Sequence, residues 1–265
     1  EALDRVEAEC RRLDPDVERP WLFKNWVIFC PLEAGLAPPE RAGRVIERML
    51  SPEFVGRFGL YLSGILQNHV MTISTGVAAV VLARYGRMNA ALGMIHQMAA
   101  TTNLRTPGAP SEMSPDYGCF VQAWTGYGAV YPVVRQFLGV SPRAHEKCIV
   151  LSPRLPDSWS DVKLRSLRIG EALVDVAVRA DRKDRRLEID VDGLDDGWTI
   201  RLEVDPQWVG LASREAGLVV NGRPVDAGGA GEGIRFEWKA TGRDRARLEA
   251  RYAGREAWGA AQEVV

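Results

Sequence analysis

Glu112 stands between Pro110 and Pro115 in GAPSEMSPDYGCFVQAW, residues 108–124. Within a few positions follow Asp116, Tyr117, Gln122, Trp124 and Tyr127. Carboxylates and amides can hold the hydroxyls of a polyhydroxylated ligand, and aromatic faces can cover its apolar C–H surface. A carboxylate on a loop at the mouth of a helical scaffold can also act as a base. Taken alone, an acid between two prolines is more often a solvated loop residue, so the elements around it decide its weight.

Up to about residue 140 the pattern is helical. A helix is expected over residues 2–13, then an aromatic loop that carries Trp26 and Glu33. A second helix follows Pro38-Pro39, because proline at a helix start gives up only a donor that has no partner there. Ala42, Val45, Ile46 and Met49 recur at helical spacing. STGVAAVVLARYG is apolar along nearly its whole length and belongs among other helices. Gly86 is the candidate for its C-terminal cap. A further helix covers NAALGMIHQMAATT, and another is expected from about Asp116 to Leu138, closed by Gly139. Short and long connections alternate, as in an array of helical hairpins.

The second half changes period. Val174, Val176 and Val178 alternate with polar residues, as do Leu187, Ile189 and Val191, then Ile200, Leu202 and Val204, then Ile234, Phe236 and Trp238. Period-two alternation marks antiparallel strands over a core. Asn221-Gly222 is a hairpin signal. The expected class is therefore α+β and multidomain: a helical array over 1–141 and an antiparallel β-sandwich over 142–265, joined by a proline-rich seam. The last residues, GREAWGAAQEVV, are expected to fray.

The chain has 265 residues, 34 basic and 35 acidic, with a formal net charge of −1. That balance gives no reason to expect nucleic acid or an anionic membrane as partner. No apolar run has the length of a membrane span. Cys10, Cys30, Cys119 and Cys148 are widely spaced, which fits buried thiols and a reducing, cytoplasmic compartment better than a zinc site or a disulfide framework. No HExxH, Walker loop, GxSxG or dinucleotide fingerprint is present, and GGAGEG at 228–233 has no helix after it. No metal or other cofactor is implied. The chain opens without Met inside an apparent helix, as a piece cut from a longer polypeptide would.

Four segments in order carry a resemblance: WVIFCPLEAGLAPPERAGRVIERMLSPEFVGRFGLYLSG, AVVLARYGRMNAALGMIHQMA, SEMSPDYGCFVQAWTGYGAVYPVV and LGVSPRAHEKCIVLSPRLPDSWSDVKLRSLRIG. Over about residues 20–180 the chain resembles the last part of a six-hairpin glycosidase, of the glycogen-debranching, amylo-α-1,6-glucosidase type. The resemblance implies a partial (α/α)6 barrel followed by a β-domain. It implies an inverting hydrolysis of α-linked oligosaccharides or polysaccharides in which Glu112 is the general base. An inverting site holds two carboxyls roughly 6.5–9.5 Å apart, to leave room for the attacking water. The general acid then belongs to an earlier hairpin, so the upstream part of the same barrel is an implied partner.

Trp26, Glu33, Tyr61, His69, Asp116, Tyr117, Gln122 and Trp124 are the candidates for binding substrate, with Asn68 beside His69. His96 reads as a structural residue inside a helix, and His145 lies in the seam without a visible partner. NHVMTISTG departs from the tryptophan-containing segment of many relatives. An incomplete barrel should leave an apolar face of the STGVAAVVLARYG helix exposed. The rival readings are an α-L-rhamnosidase-like hydrolase, a glycoside phosphorylase, and a noncatalytic carbohydrate-binding module that uses Trp26 and Trp124.

Overall fold

The computed structural model describes residues 8, 11–12, 25–62, 67, 69–104, 107–114, 119, 121–205, 208, 216–228 and 233–250. The expected helix at 2–13 and the tail after 250 fall largely or wholly outside them. The chain divides into two compact units, Glu1–Pro132 and Val133–Val265.

The described part of the first unit contains helices α1 (Asn25–Glu33), α2 (Pro39–Met49), α3 (Thr72–Arg84), α4 (Met88–Ala99) and α5 (Ala123–Tyr131). Two minimal strand pairs link them: β1 (Val55–Gly56) with β2 (Gly59–Leu60), and β3 (Val70–Met71) with β4 (Met113–Ser114). α2 begins at Pro39 and buries Ala42, Ile46 and Met49 on one face, as its spacing requires. α3 buries ten of its 13 residues, because α1, α4 and α5 pack around it. The expectation of an exposed apolar face on this helix is therefore corrected. Gly86 follows α3 with φ of +79°, the left-handed conformation that glycine adopts without strain.

The α3–α5 crossing is the tightest feature of the unit. Gly76 lies against Gly128, and a Cβ added to Gly76 would stand 2.9 Å from the Gly128 Cα. Only two residues without side chains allow the backbones this close. Near the start of both helices, the Thr72 and Thr125 hydroxyls are 2.9 Å apart and buried.

The helix expected from Asp116 to Leu138 is shorter in its α-helical part. Gln122 is extended (φ −112°, ψ 92°), so α5 starts at Ala123. Pro132 supplies no N–H, and its ring crowds the carbonyl four residues back. The chain answers with a π-helical stretch, Pro132–Phe137, in which Leu138 N–H reaches the Val133 carbonyl at 3.0 Å.

The second unit has two sheets. Its strands are β5 (Val140–Arg143), β6 (Cys148–Leu151), β7 (Asp161–Ile169), β8 (Ala172–Asp181) and β9 (Arg186–Leu194), then β10 (Thr199–Val204), β11 (Ala216–Val220), β12 (Arg223–Val225), β13 (Ile234–Lys239) and β14 (Gly242–Ala250). A six-stranded sheet has the order β12-β11-β14-β9-β8-β7, and a four-stranded sheet has the order β13-β10-β6-β5. Val174, Val176 and Val178 are buried, as are Leu187, Ile189 and Val191, then Ile200, Leu202 and Val204, so each sheet buries one face. Asn221 and Gly222 both have positive φ and turn β11 into β12, as their types imply.

One expectation fails here. The sheets are not wholly antiparallel, because β6 pairs with β10 in parallel, with Ile149 opposite Ile200. β6 lies in the segment expected to be a seam. All four of its residues are buried, so it carries no alternation to betray it.

Gly128→Ala should destabilise the helical unit by about 1–3 kcal/mol, the usual range for overpacking. Urea unfolding followed by helical circular dichroism reads this directly, and an unchanged midpoint would show that the crossing is not close-packed.

Candidate functional site

Glu112 sits at the neck of the loop between α4 and α5. Its N–H donates to the Cys119 carbonyl at 2.9 Å, and the Gln122 N–H donates to the Pro110 carbonyl at 3.0 Å. The Glu112 carboxylate closes the same neck, because Oε2 accepts the Cys119 N–H at 3.0 Å. The loop is thus pinched at residues 110–112 and 119–122, and the half-buried Glu112 side chain stands at the pinch.

The pinch is tied to the helices behind it. The Thr72 N–H donates to the Glu112 carbonyl at 2.9 Å. The Thr72 hydroxyl lies 2.6 Å from the Ser111 carbonyl, 3.1 Å from the Glu112 carbonyl and 2.9 Å from the Thr125 hydroxyl. Thr72, Ser111 and Thr125 are all buried, so these bonds are shielded from water. Thr75 secures the neighbouring turn, accepting the Leu60 N–H and donating to the Met71 carbonyl, both at 2.9 Å.

α5 carries the aromatic part. Trp124 is 70% exposed, and Val121 (62%), Tyr127 (38%) and Val130 (63%) follow the same three-residue spacing. The exposed apolar surface expected on α3 therefore lies on α5 and the residue leading into it. The Tyr127 hydroxyl donates to Glu33 Oε1 at 2.9 Å. Burial, then this bond to a carboxylate, push the Tyr127 phenol well above its ordinary pKa, so it remains a donor.

Glu33 belongs to a different set of hydrogen bonds from Glu112. It ends helix α1 rather than lying in a long loop, and its bond goes to Tyr127. The residues after it lead to the C-terminal end of α3, where the Tyr85 hydroxyl donates to the Ala37 carbonyl at 2.9 Å. Glu112 is fastened to Thr72 at the opposite end of that helix. Among the described residues the two acids share no partner.

Tyr61 and His69 border β3, whose Val70 pairs with Ser114, two residues past Glu112. Trp26 is in helix α1 rather than a loop, and its side chain lies outside the described residues. Asn68, Asp116 and Tyr117 also lie outside them. Tyr61 pairs with Val70 in an isolated bridge, and its ring fills the space beside Gly56. The His69 carbonyl accepts the Leu62 N–H at 2.8 Å and continues this pairing. Gln122 is half-buried and leads into α5.

His96 is exposed on α4 rather than set into its core. His145 has a partner after all, with Nε2 3.2 Å from Glu146. Cys30 and Cys119 are exposed, against the expectation of buried thiols, and only Cys148 is buried among the described cysteines. Burial pushes the Cys148 thiol up. Among the described residues, no group of three or more His, Cys, Asp or Glu residues is placed to hold a metal, and no helix is long and apolar enough to cross a membrane.

Sequence reasoning missed Thr72, Ser111 and Thr125, which fix the site. Thr72 was visible only as a hydroxyl ahead of an apolar run. Gly76 gave more, because glycine inside an apolar helix implies a close neighbour.

No family model and no curated protein matches the chain. Among solved structures it is similar to a GH127 β-arabinofuranosidase, at 10% identity and a TM-score of 0.34 over 73% of this chain and 33% of that one. A protein assigned as a kojibiose phosphorylase from the human microbiome is 10% identical, with a TM-score of 0.31 over 70% of this chain and 20% of that one. A cycloalternan-forming enzyme from Listeria monocytogenes matches at 10% identity and a TM-score of 0.30, over 38% of this chain and 10% of that one. The chain spans a third or less of each of these proteins. None of the three is a debranching enzyme, and likeness at these scores carries no argument about function.

Thr72→Val keeps the side-chain shape and removes the hydroxyl that ties the loop to α5. It should cost about 1–3 kcal/mol, and hydrogen exchange at the Glu112 and Cys119 amides should speed up more than exchange in α4. Uniform acceleration across the unit would show that the clasp does not act on the loop.

Proposed function

We propose that the helical unit carries part of a carbohydrate site, and that Glu112 is its general base in an inverting glycoside hydrolysis. The observation that carries this reading is the pinned neck. Glu112 is held by its backbone to α3, and Thr72 links it to Thr125, the neighbour of exposed Trp124. A carboxylate with a fixed backbone and an exposed indole on the helix that follows suit a sugar ring, whose hydroxyls seek acceptors and whose C–H face seeks an aromatic surface.

In this mechanism the Glu112 carboxylate takes a proton from the water that attacks the anomeric carbon. A second carboxyl, roughly 6.5–9.5 Å away on the other side of the scissile bond, protonates the leaving oxygen. The acid is assigned to an upstream part of the same barrel, of which the five described helices would be the final hairpins. The two one-faced sheets would pack as a sandwich. The resemblance makes α-linked glucosides of the amylo-α-1,6 type the first substrates to try.

One observation favours a second reading, a binding module without turnover. Glu112 Oε2 already serves the loop by accepting the Cys119 N–H, and Trp124 alone offers a stacking surface.

Glu112→Gln separates the two. The amide oxygen still accepts the Cys119 N–H, so the loop keeps its neck while the base is lost. On the longest natural polypeptide that carries this sequence, release of monosaccharide should fall by about 10²–10⁴-fold with Tm unchanged. Retained turnover would remove Glu112 from the mechanism. Undiminished sugar binding with no turnover in either protein would favour the binding module.

A further inference from the structure

The six-stranded sheet carries a groove of about 750 Å³ on its polar face. Three rows of side chains cross β14, β9, β8 and β7; the second and third line the groove, and the first borders it through Arg179. Arg247, Glu188, Arg179 and Asp161 form one row. Arg245, Asp190, Ala177 and Lys163 form the next. Arg243, Asp192 and Asp175 form the third, which ends on Ser166, whose N–H donates to Asp175 Oδ1 at 2.7 Å. The middle row is hollow at Ala177, whose methyl leaves the space that longer side chains fill on either side. The Asn221-Gly222 turn closes the groove beyond Arg245.

Much of the lining is held in place. Asp190 accepts from Arg179 Nη2 and from Arg245 Nε, each at 2.9 Å. Burial opposes ionisation of Asp190, but these two guanidinium bonds outweigh it and hold its carboxyl below the usual range. Arg179 also faces Glu188 at 3.6 Å and Asp161 at 3.8 Å.

The third row is different. Asp175 and Asp192 stand directly opposite one another on neighbouring strands, an arrangement that costs stability. The cation paired with Asp192 is Arg243, at 3.9 Å and with its side chain 85% exposed.

We propose that this groove is a second glycan site, which takes a neutral oligosaccharide chain through hydrogen bonds to Asp175, Asp192 and the basic residues on its banks. Two facing carboxylates are acceptors only, and vicinal hydroxyls supply two donors without adding charge. Lys163 and Arg165 on one bank and Arg243 on the other donate to ring and hydroxyl oxygens. The lining holds five cations and four carboxylates, so neither an anion nor a cation finds a field of one sign. The volume is that of a ligand site, commonly about 300–1,000 Å³. The choice of ligand class rests on the carbohydrate reading of the helical unit, while the groove itself does not involve Glu112.

The test is calorimetric titration of the 265-residue chain with maltohexaose and isomaltohexaose, and separately with calcium chloride. Ala177→Phe fills the hollow, Asp175→Asn removes the facing charge, and Trp124→Ala disables the helical platform. Asp175→Asn should raise Tm, because repulsion is relieved, yet weaken hexasaccharide binding about tenfold. Ala177→Phe should weaken it at least as much, and Trp124→Ala should leave this binding in place. A protein that is stabilised but binds less cannot be explained by misfolding.

Binding lost with Trp124→Ala and untouched by Asp175→Asn and Ala177→Phe would overturn the groove and leave the helical site standing. No binding of either hexasaccharide by the unaltered chain would overturn the groove and count against the helical site together. Calcium binding abolished by Asp175→Asn, with sugar binding unaffected, would overturn the glycan assignment in favour of a cation.

Discussion

The contact between Gly76 and Gly128 governs the helical unit. It brings the backbones of α3 and α5 so close that a single added Cβ would collide. Close approach then places Thr72 and Thr125 in hydroxyl contact, and Thr72 has enough reach left to hold two carbonyls of the loop before α5. The position of Glu112 is therefore a consequence of two glycines that carry no chemistry. Hydroxyls buried among apolar helices are stable only when fully partnered. The clasp meets that condition for Thr72 through the Ser111 and Glu112 carbonyls and the Thr125 hydroxyl.

The second unit solves a different problem. Its sheets put alternating aliphatic residues on one face and charges on the other, and on β9 and β14 the charges are sorted by strand: Glu188, Asp190 and Asp192 oppose Arg247, Arg245 and Arg243. This pairing fixes the register of the two central strands, since a shift by one residue would bury the charges. β8 breaks the sorting with Asp175, which stands opposite Asp192.

The sequence made some of this legible and concealed the rest for physical reasons. Ala42, Ile46 and Met49 announced a buried helical face, and Asn221-Gly222 announced its turn, because each effect is local. The parallel β6–β10 pair was hidden, because a strand buried along its whole length has no period and pairs with a partner some fifty positions away. Pro132 was visible, but its conversion of a helix into a π-helical stretch depends on what the following residues can bond. At the candidate site, Glu112, Gln122 and Trp124 are proposed from residue type. The bond between Glu33 and Tyr127 was not legible, because it joins residues 94 positions apart.

The account turns on whether Glu112 and Trp124 meet the same ligand. The most direct measurement is nuclear magnetic resonance of the chain with labelled glutamate and tryptophan, titrated with isomaltohexaose. The account predicts that the Glu112 Cδ and Trp124 Nε1 signals move together along one binding curve, while signals from α4 stay still. Ligand binding that leaves both signals unmoved, or that moves Trp124 without Glu112, would contradict it.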